Sequence, residues 1–176
     1  MGQYSSKQVG VRHSIQDTFY GFEKDPNIVF GREFTRATAT SETFAYVKRF
    51  VWPGRLNEYS LQVIYSEVSN IWFGFHLVDP SAEPAWIKDY WMVNLCDGVA
   101  VTKEGEPWQY SHTRVAHNDV VTLEVTPQGA VRMWLNGKFI SRVFQDRWLM
   151  RSKHVWPFIS LGSAGDTVAL LEGVTS

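Results

Sequence analysis

The chain has 176 residues, 44% of them apolar and 20% charged, a composition that suits one folded domain and excludes a disordered, collagenous or low-complexity protein. Seventeen Lys and Arg against eighteen Asp and Glu leave a net charge of −1, which excludes the broad basic footprint of a nucleic-acid binder. One cysteine, Cys96, cannot make an internal disulfide, a zinc finger or a RING-type ligase module, and the lack of an Asn-x-Ser/Thr sequon and of an apolar leader points to the reducing cytoplasm.

Met1-Gly2-Gln3-Tyr4-Ser5-Ser6 fits the N-myristoylation pattern, with Gly2 as the acylated residue and Ser6 at the hydroxyl position. A single myristoyl chain holds a bilayer only marginally, at about 10⁴ M⁻¹. Lys7 and Arg12 precede the first acidic residue, Asp17, and each basic residue adds about 1 kcal/mol on an anionic leaflet. The expectation is a flexible segment over 1–12 that associates reversibly with the inner face of a membrane, followed by one domain over 13–176. No apolar run approaches the roughly 20 residues of a membrane-spanning helix.

Past residue 12 the pattern is that of strands. Tyr59 to Tyr65 (YSLQVIY), Ile71 to Val78 (IWFGFHLV), Val120 to Thr126 (VVTLEVT) and Ala130 to Leu135 (AVRMWL) are short, β-branched or aromatic, and bounded by turn residues. Ala82 to Met92 comes nearest to a helical period, but Pro84 and its large aromatics predict a loop or a single turn. Thr126-Pro127-Gln128-Gly129 has type I turn chemistry, and Asn136-Gly137 predicts a two-residue hairpin in which both residues take positive φ. A three-stranded meander follows from Asp119 to Phe144, with Val121, Leu123, Val125, Val131, Met133 and Leu135 on its buried face. Val155 to Glu172 reads as two apolar strands around a Gly/Ser-rich turn. Eight Trp, seven Tyr and eleven Phe are the wide side chains that fill the space between facing sheets; Phe73, Phe75, Trp134, Phe139 and Phe158 are expected there.

The order of strand, P-x-G turn, strand, Asn-Gly, strand, basic loop and aromatic-I-S-L-G resembles the second half of SPRY-type and Neuralized-homology-repeat domains. The first half is similar to a Neuralized repeat. Tyr20 to Ile28 (YGFEKDPNI) is followed by Ala37, Phe44, Phe50 and Trp52-Pro53. Trp72-Phe73-Gly74-Phe75 leads to Asp79-Pro80, and Tyr90-Trp91 is followed by Gly98 and Lys103-Glu104-Gly105. The likeness runs from about residue 18 to 172. It departs at the shortened Gly-rich spacing after Trp72, at Thr38 in place of Arg, and at Ser160-Leu161-Gly162. The resemblance implies a concanavalin-like antiparallel β-sandwich of jelly-roll type. It also implies a non-catalytic module that grips a short peptide motif on a partner protein, with no cofactor, in ubiquitination or signalling. Lacking a ligase element, the chain would supply recognition only. A SPRY-type interaction domain and a sugar-binding lectin-like sandwich are the alternatives.

Residue chemistry offers little for catalysis. Glycosidases on such sandwiches need two nearby carboxylates, yet Glu124 is alone in its strand, and Glu104 and Glu106 sit on a turn. His112 and His117 lack a third metal ligand, Cys96 lacks an evident base and reads as a small buried residue, and no Gly-rich phosphate cradle opens a helix. Recognition is expected in loops at one rim. Pro80 to Trp91 and Glu106 to His117 carry Trp86, Tyr90, Trp91, Trp108 and Tyr110, with Lys88 and Arg114 for acidic or amide groups, the residue types of interface hot spots. A basic patch of Arg142, Arg147, Arg151 and Lys153 against Asp146 alone suits an acidic partner or lipid headgroups.

Overall fold

A computed structural model describes residues 11–21, 26–66, 70–77, 89–103, 105–151 and 155–176. In chain order the strands are β1 (His13–Gln16), β2 (Phe19–Tyr20), β3 (Ile28–Gly31), β4 (Arg36–Ala39), β5 (Thr43–Val47), β6 (Asn57–Tyr65), β7 (Ile71–His76) and β8 (Tyr90–Asn94). They continue with β9 (Val99–Thr102), β10 (Trp108–Gln109), β11 (Val120–Val125), β12 (Ala130–Leu135), β13 (Lys138–Gln145), the one-turn helix α1 (Trp148–Arg151), β14 (Trp156–Leu161), β15 (Thr167–Leu170) and β16 (Glu172–Thr175). Two antiparallel sheets result, as expected of the jelly-roll sandwich. Sheet A runs β13-β12-β11-β6-β15-β4-β3, with β16 and then β1 added beside the start of β6. Sheet B runs β10-β9-β8-β7-β14-β5-β2.

Alternation along each strand makes the layers. On β6, Asn57, Tyr59, Leu61 and Val63 point inward, while Glu58, Ser60, Gln62 and Ile64 point out. The inner side of β11 is Val121, Leu123 and Val125, and that of β7 is Ile71, Phe73 and Phe75. These residues form the inter-sheet core. The same parity corrects part of the aromatic expectation. Trp134 alternates with inward Met133 and Leu135, so it lies on the outer side of sheet A, edge-on to Phe139 at 5.3 Å. Phe158 is buried too, but on the outer side of sheet B.

Local chemistry sets the connections. Asn136 and Gly137 have φ of 51° and 79°, the hairpin geometry anticipated for β12–β13. Gly129 closes its turn by donating to the Thr126 carbonyl at 2.9 Å. Buried Asp166 receives the Gly162 and Ser163 amides at 3.1 and 3.2 Å, which shapes the passage from β14 in one sheet to β15 in the other.

Where the chain crosses from β1 to β2, Asp17 meets Arg49 in a two-point ion pair, with Nε–Oδ1 2.8 Å and Nη2–Oδ2 2.9 Å. Arg49 Nη2 also donates to the Glu58 carbonyl at 2.8 Å, and the guanidinium lies 4.1 Å from the Tyr59 ring centroid. One buried cation thus ties the end of β5 to β6 and to the β1–β2 crossing. Residues 32, 33 and 34 follow one another in the left-handed region, with φ of 50°, 56° and 65°, at about 1–2 kcal/mol of strain each. The Thr35 hydroxyl and amide bond the Arg32 carbonyl, and the Phe34 carbonyl receives the Phe19 amide at 2.7 Å. The outcome is an exposed Phe34 on a fixed turn.

Candidate functional site

Gly2, Trp86, Lys88 and Lys153 lie outside the described residues. The others nominated by the sequence do not converge. Tyr90 and Trp91 open strand β8 instead of belonging to a loop. Trp91 faces the core, and its indole N–H donates to Asp146 Oδ2 at 3.0 Å, so no face is left for a ligand. Tyr110 packs against the core and donates its hydroxyl to the Asn94 carbonyl at 3.0 Å; burial pushes its pKa up. Trp108, although 37% exposed, closes the open side of the sandwich by meeting Phe144 edge-on at 5.4 Å.

The 106–117 connection is anchored to the far end of β8, through Tyr110 N to Gly98 O at 2.8 Å and Val115 N to Leu95 O at 3.1 Å. Tyr90 starts that strand and Asn94 ends it, so about 13 Å of extended chain separates Tyr90 from the end where the 106–117 connection is anchored. Tyr110 and exposed Arg114 therefore lie at the opposite end from Tyr90, and the single rim that the sequence suggests is divided between two ends.

The basic patch divides as well. Arg142 sits on β13 opposite Arg132, whereas exposed Arg147 and Arg151 flank the one-turn helix. Asp146 caps this turn: one oxygen accepts the Trp91 indole N–H and the other accepts the Trp148 amide at 2.9 Å. Leu149 and Met150 anchor the turn inward, leaving Trp148 57% exposed between two arginines. Sequence reasoning passed over Trp148. The available signal was Asp146 two residues ahead of it, an N-terminal cap for a helical turn. The knuckle is buttressed by the 126–129 turn: the Asp146 amide donates to the Gly129 carbonyl at 2.9 Å, and a Cβ at Gly129, where φ is 82°, would meet the Asp146 carbonyl.

The strongest feature is one the sequence does not display, the outer side of sheet B. Register places Tyr20, Tyr46, Phe158, Gly74, Met92 and Val101 in one row across six strands. A second row holds Phe44, Ser160, Trp72 and Asn94, and a third Trp156, His76 and Tyr90. Tyr46, Met92 and Phe158 are buried, with Trp72, Tyr90, Val101 and Trp156 packed around them half-exposed. Phe44, 40% exposed, leans on Phe158 at 5.7 Å, and Phe50 on Trp156 at 5.5 Å. Gly74 is required here, since a Cβ would run into the Trp91 carbonyl and Met92. Along the β2 edge of this face, clefts of about 230 and 370 Å³ meet at Thr18 and Lys48, the larger also lined by Tyr20 and Phe34.

Polar groups within this face are few and constrained. His76 stacks on Phe158 at 3.7 Å, and burial lowers its pKa to about 3, so the ring is neutral. Its Nδ1 is 3.5 Å from the Tyr46 hydroxyl, whose pKa burial raises. The Trp156 indole N–H is buried without an acceptor among the described residues. Water-facing sheet surfaces are ordinarily polar, whereas a contiguous aromatic one with half-exposed Trp and Tyr is the composition of an interface.

Other chemistry stays modest. Glu124 is not alone in space: Glu58 faces it from β6. Burial, then the hydrogen bond to Glu124 and that group's charge, raise the Glu58 pKa, against the pull of Arg12. Each carboxylate also meets an arginine at 3.5 Å, Glu58 with Arg12 and Glu124 with Arg132. His117 accepts the Ser66 amide at 3.2 Å and stacks on Tyr65, and Cys96 is buried with its thiol pKa raised chiefly by burial. Among the described residues no group of three His, Cys, Asp or Glu could hold a metal, and no helix is long and apolar enough to cross a membrane.

Among the described residues, sixteen strands in two antiparallel layers with one helical turn define the class: this is the sandwich fold of SPRY and Neuralized homology repeat domains. The SPRY domain of human HERC1 superposes with a TM-score of 0.65 at 10% identity, over 91% of this chain and 98% of that one. The NHR1 domain of Drosophila melanogaster Neuralized does so with a TM-score of 0.58 at 17% identity, over 89% and 98%. Carbohydrate binding module CBM66 of Bacillus subtilis gives 0.54 at 10% identity, over 94% and 95%. No family model matches the chain, and no curated protein matches it.

Proposed function

We propose that this chain is a non-catalytic protein-interaction module whose sheet B face receives a short peptide from a partner protein, in ubiquitination or signalling. The observation that carries the reading is the aromatic outer side of sheet B. Phe44, Trp72, Tyr90 and Trp156 offer flat, half-exposed surfaces on rigid strands, so little side-chain entropy is lost on binding. At the end where β8 begins, Trp148 with Arg147 and Arg151 supplies a cationic edge, which favours a peptide with acidic residues beside apolar ones. Gly2 acylation would hold the module at the cytosolic side of a membrane.

The test is selection from a displayed peptide library, comparing the native chain with Phe44→Ser/Trp72→Ala. A consensus enriched by the native chain and lost in the variant supports the reading. Equal enrichment by both removes the face from recognition, and binding on a glycan array without a peptide consensus favours the lectin-like alternative.

A further inference from the structure

The opposite outer side, that of sheet A, carries a second pattern. Cross-strand register aligns Arg142 on β13, Arg132 on β12, Glu124 on β11 and Glu58 on β6. Arg12 reaches Glu58 at 3.5 Å, so the chain enters this same face from the N-terminal side. From Arg142 to Glu58 is three strand spacings, about 14 Å. The adjoining row is Phe139, Trp134, Thr122 and Ser60, with the Ser60 and Thr122 hydroxyls bonded at 2.7 Å. Phe139 is 47% exposed, and Trp134 is half-buried against it.

The first row and the hairpin beyond it carry Arg12, Arg132, Arg142 and Lys138 against Glu58 and Glu124. The two carboxylates pair with Arg12 and Arg132, and Asp119 accepts the Asn136 side-chain amide at the hairpin turn at 3.0 Å, so Arg142 and Lys138 are the cations of the β12–β13 hairpin that lie outside these pairs. A further carboxylate, Glu172, lies on β16, beyond β6 from the arginines. A Trp–Phe pair bordered by arginines, its Phe139 exposed and its Trp134 half-buried, suits a bilayer interface, where aromatic rings settle at headgroup depth and cations meet anionic lipid.

We propose that the outer side of sheet A docks on an anionic membrane surface through Arg132, Arg142, Trp134 and Phe139, beside the point where the candidate acylated segment joins the fold. The inference takes its anchor from the Gly2 reading and adds the second signal that one acyl chain needs. It also sets the orientation, because the aromatic face of sheet B then points away from the bilayer and stays open to a partner.

The experiment uses the full chain, produced with and without N-myristoyltransferase, and sedimentation with vesicles of phosphatidylcholine alone or mixed with phosphatidylserine. Serine lipid is expected to raise binding of both forms, and Arg132→Gln/Arg142→Gln to lower that gain about tenfold with an unchanged melting curve. Phe139→Ser serves as a second variant should the double arginine variant melt early. An environment-sensitive dye on Phe139→Cys should shift on serine-lipid vesicles, and the same dye on Phe44→Cys should not; buried Cys96 leaves each label unique. Overturning results are no gain from serine lipid, full binding by both variants, or the dye shift at position 44 instead. Retention on polyglutamate without vesicle binding would make the face a protein interface and also overturn the proposal. Gly2→Ala with unchanged partition removes the anchor alone, since the serine-lipid gain of the unacylated form is measured separately.

Discussion

Sheet A and sheet B turn opposite kinds of surface outward, although both are antiparallel and cover the same core. On sheet A the outward residues pair as solvent-facing groups do: Thr38 with Thr167 at 3.1 Å, Ser60 with Thr122, and Glu124 with Arg132. Aromatic groups intrude there at the β12–β13 edge, as Trp134 and Phe139. On sheet B the outward residues pack as a second core, with Tyr46, Met92 and Phe158 buried beneath Trp72, Tyr90 and Trp156. The contrast separates two kinds of surface: polar cross-strand pairs cover most of the described outer side of sheet A, and packed aromatic rings that of sheet B.

The seam between the faces gives the largest expected effect. Asp17→Ala leaves the Arg49 guanidinium buried beside the Glu58 carbonyl, Asn57 and the Tyr59 ring with no described carboxylate paired to it, and stranding one member of a buried pair costs about 3–5 kcal/mol. Urea unfolding measures this; a loss below about 1 kcal/mol would mean that the pair does not hold the sheets together. Next, Phe158→Ala and Phe139→Ala set the faces against each other. The first empties a packed site and should cost about 3 kcal/mol or more, the second about 0.5 kcal/mol. Equal losses in the same unfolding assay would dissolve the contrast.

Titration gives the two faces opposite signs. An unfolded histidine takes up a proton near pH 6.5, while His76 stays neutral down to about 3. The folded chain therefore binds fewer protons across that window and loses stability as pH falls through it. Glu58 runs the other way: its folded pKa lies above 4.5, so the folded chain holds more protons just above that value, and stability falls as pH rises through the window. Melting temperatures of His76→Phe should lose most of the acid-side decline, and those of Glu58→Gln the opposing trend. The smallest effect is expected at the β3–β4 turn, where Glu33→Gly relieves a left-handed residue of φ 56° and should gain up to about 1 kcal/mol in thermal unfolding.

Much of the architecture was legible in the chain. The Asn-Gly hairpin, the Thr126 to Gly129 turn and the alternation of VVTLEVT are local, since turn dihedrals and strand parity depend on neighbours within a few residues. The site was not legible in the same way. Phe44, Trp72, Met92, Trp156 and Phe158 come from four strands far apart in sequence, and nothing local shows that they share one outward face. Trp91 and Tyr110 looked like loop anchors because aromatic residues near Pro and Gly read as exposed; pairing with Asp146 and Asn94 takes both inward. Glu58 and Glu124 met only because β6 and β11 are neighbours, and Asp17 with Arg49 only because the chain crosses between sheets beside the end of β5.

By itself, then, the sequence determined the all-β class, the strands and turns, and the candidate acylation motif at Gly2, for these rest on composition, period and contiguous residues. Tertiary structure alone decided which face is aromatic, which carries the arginine row, and which tryptophans are core. Strand order and register set those assignments, and a one-residue shift in register would exchange every inward side chain for an outward one.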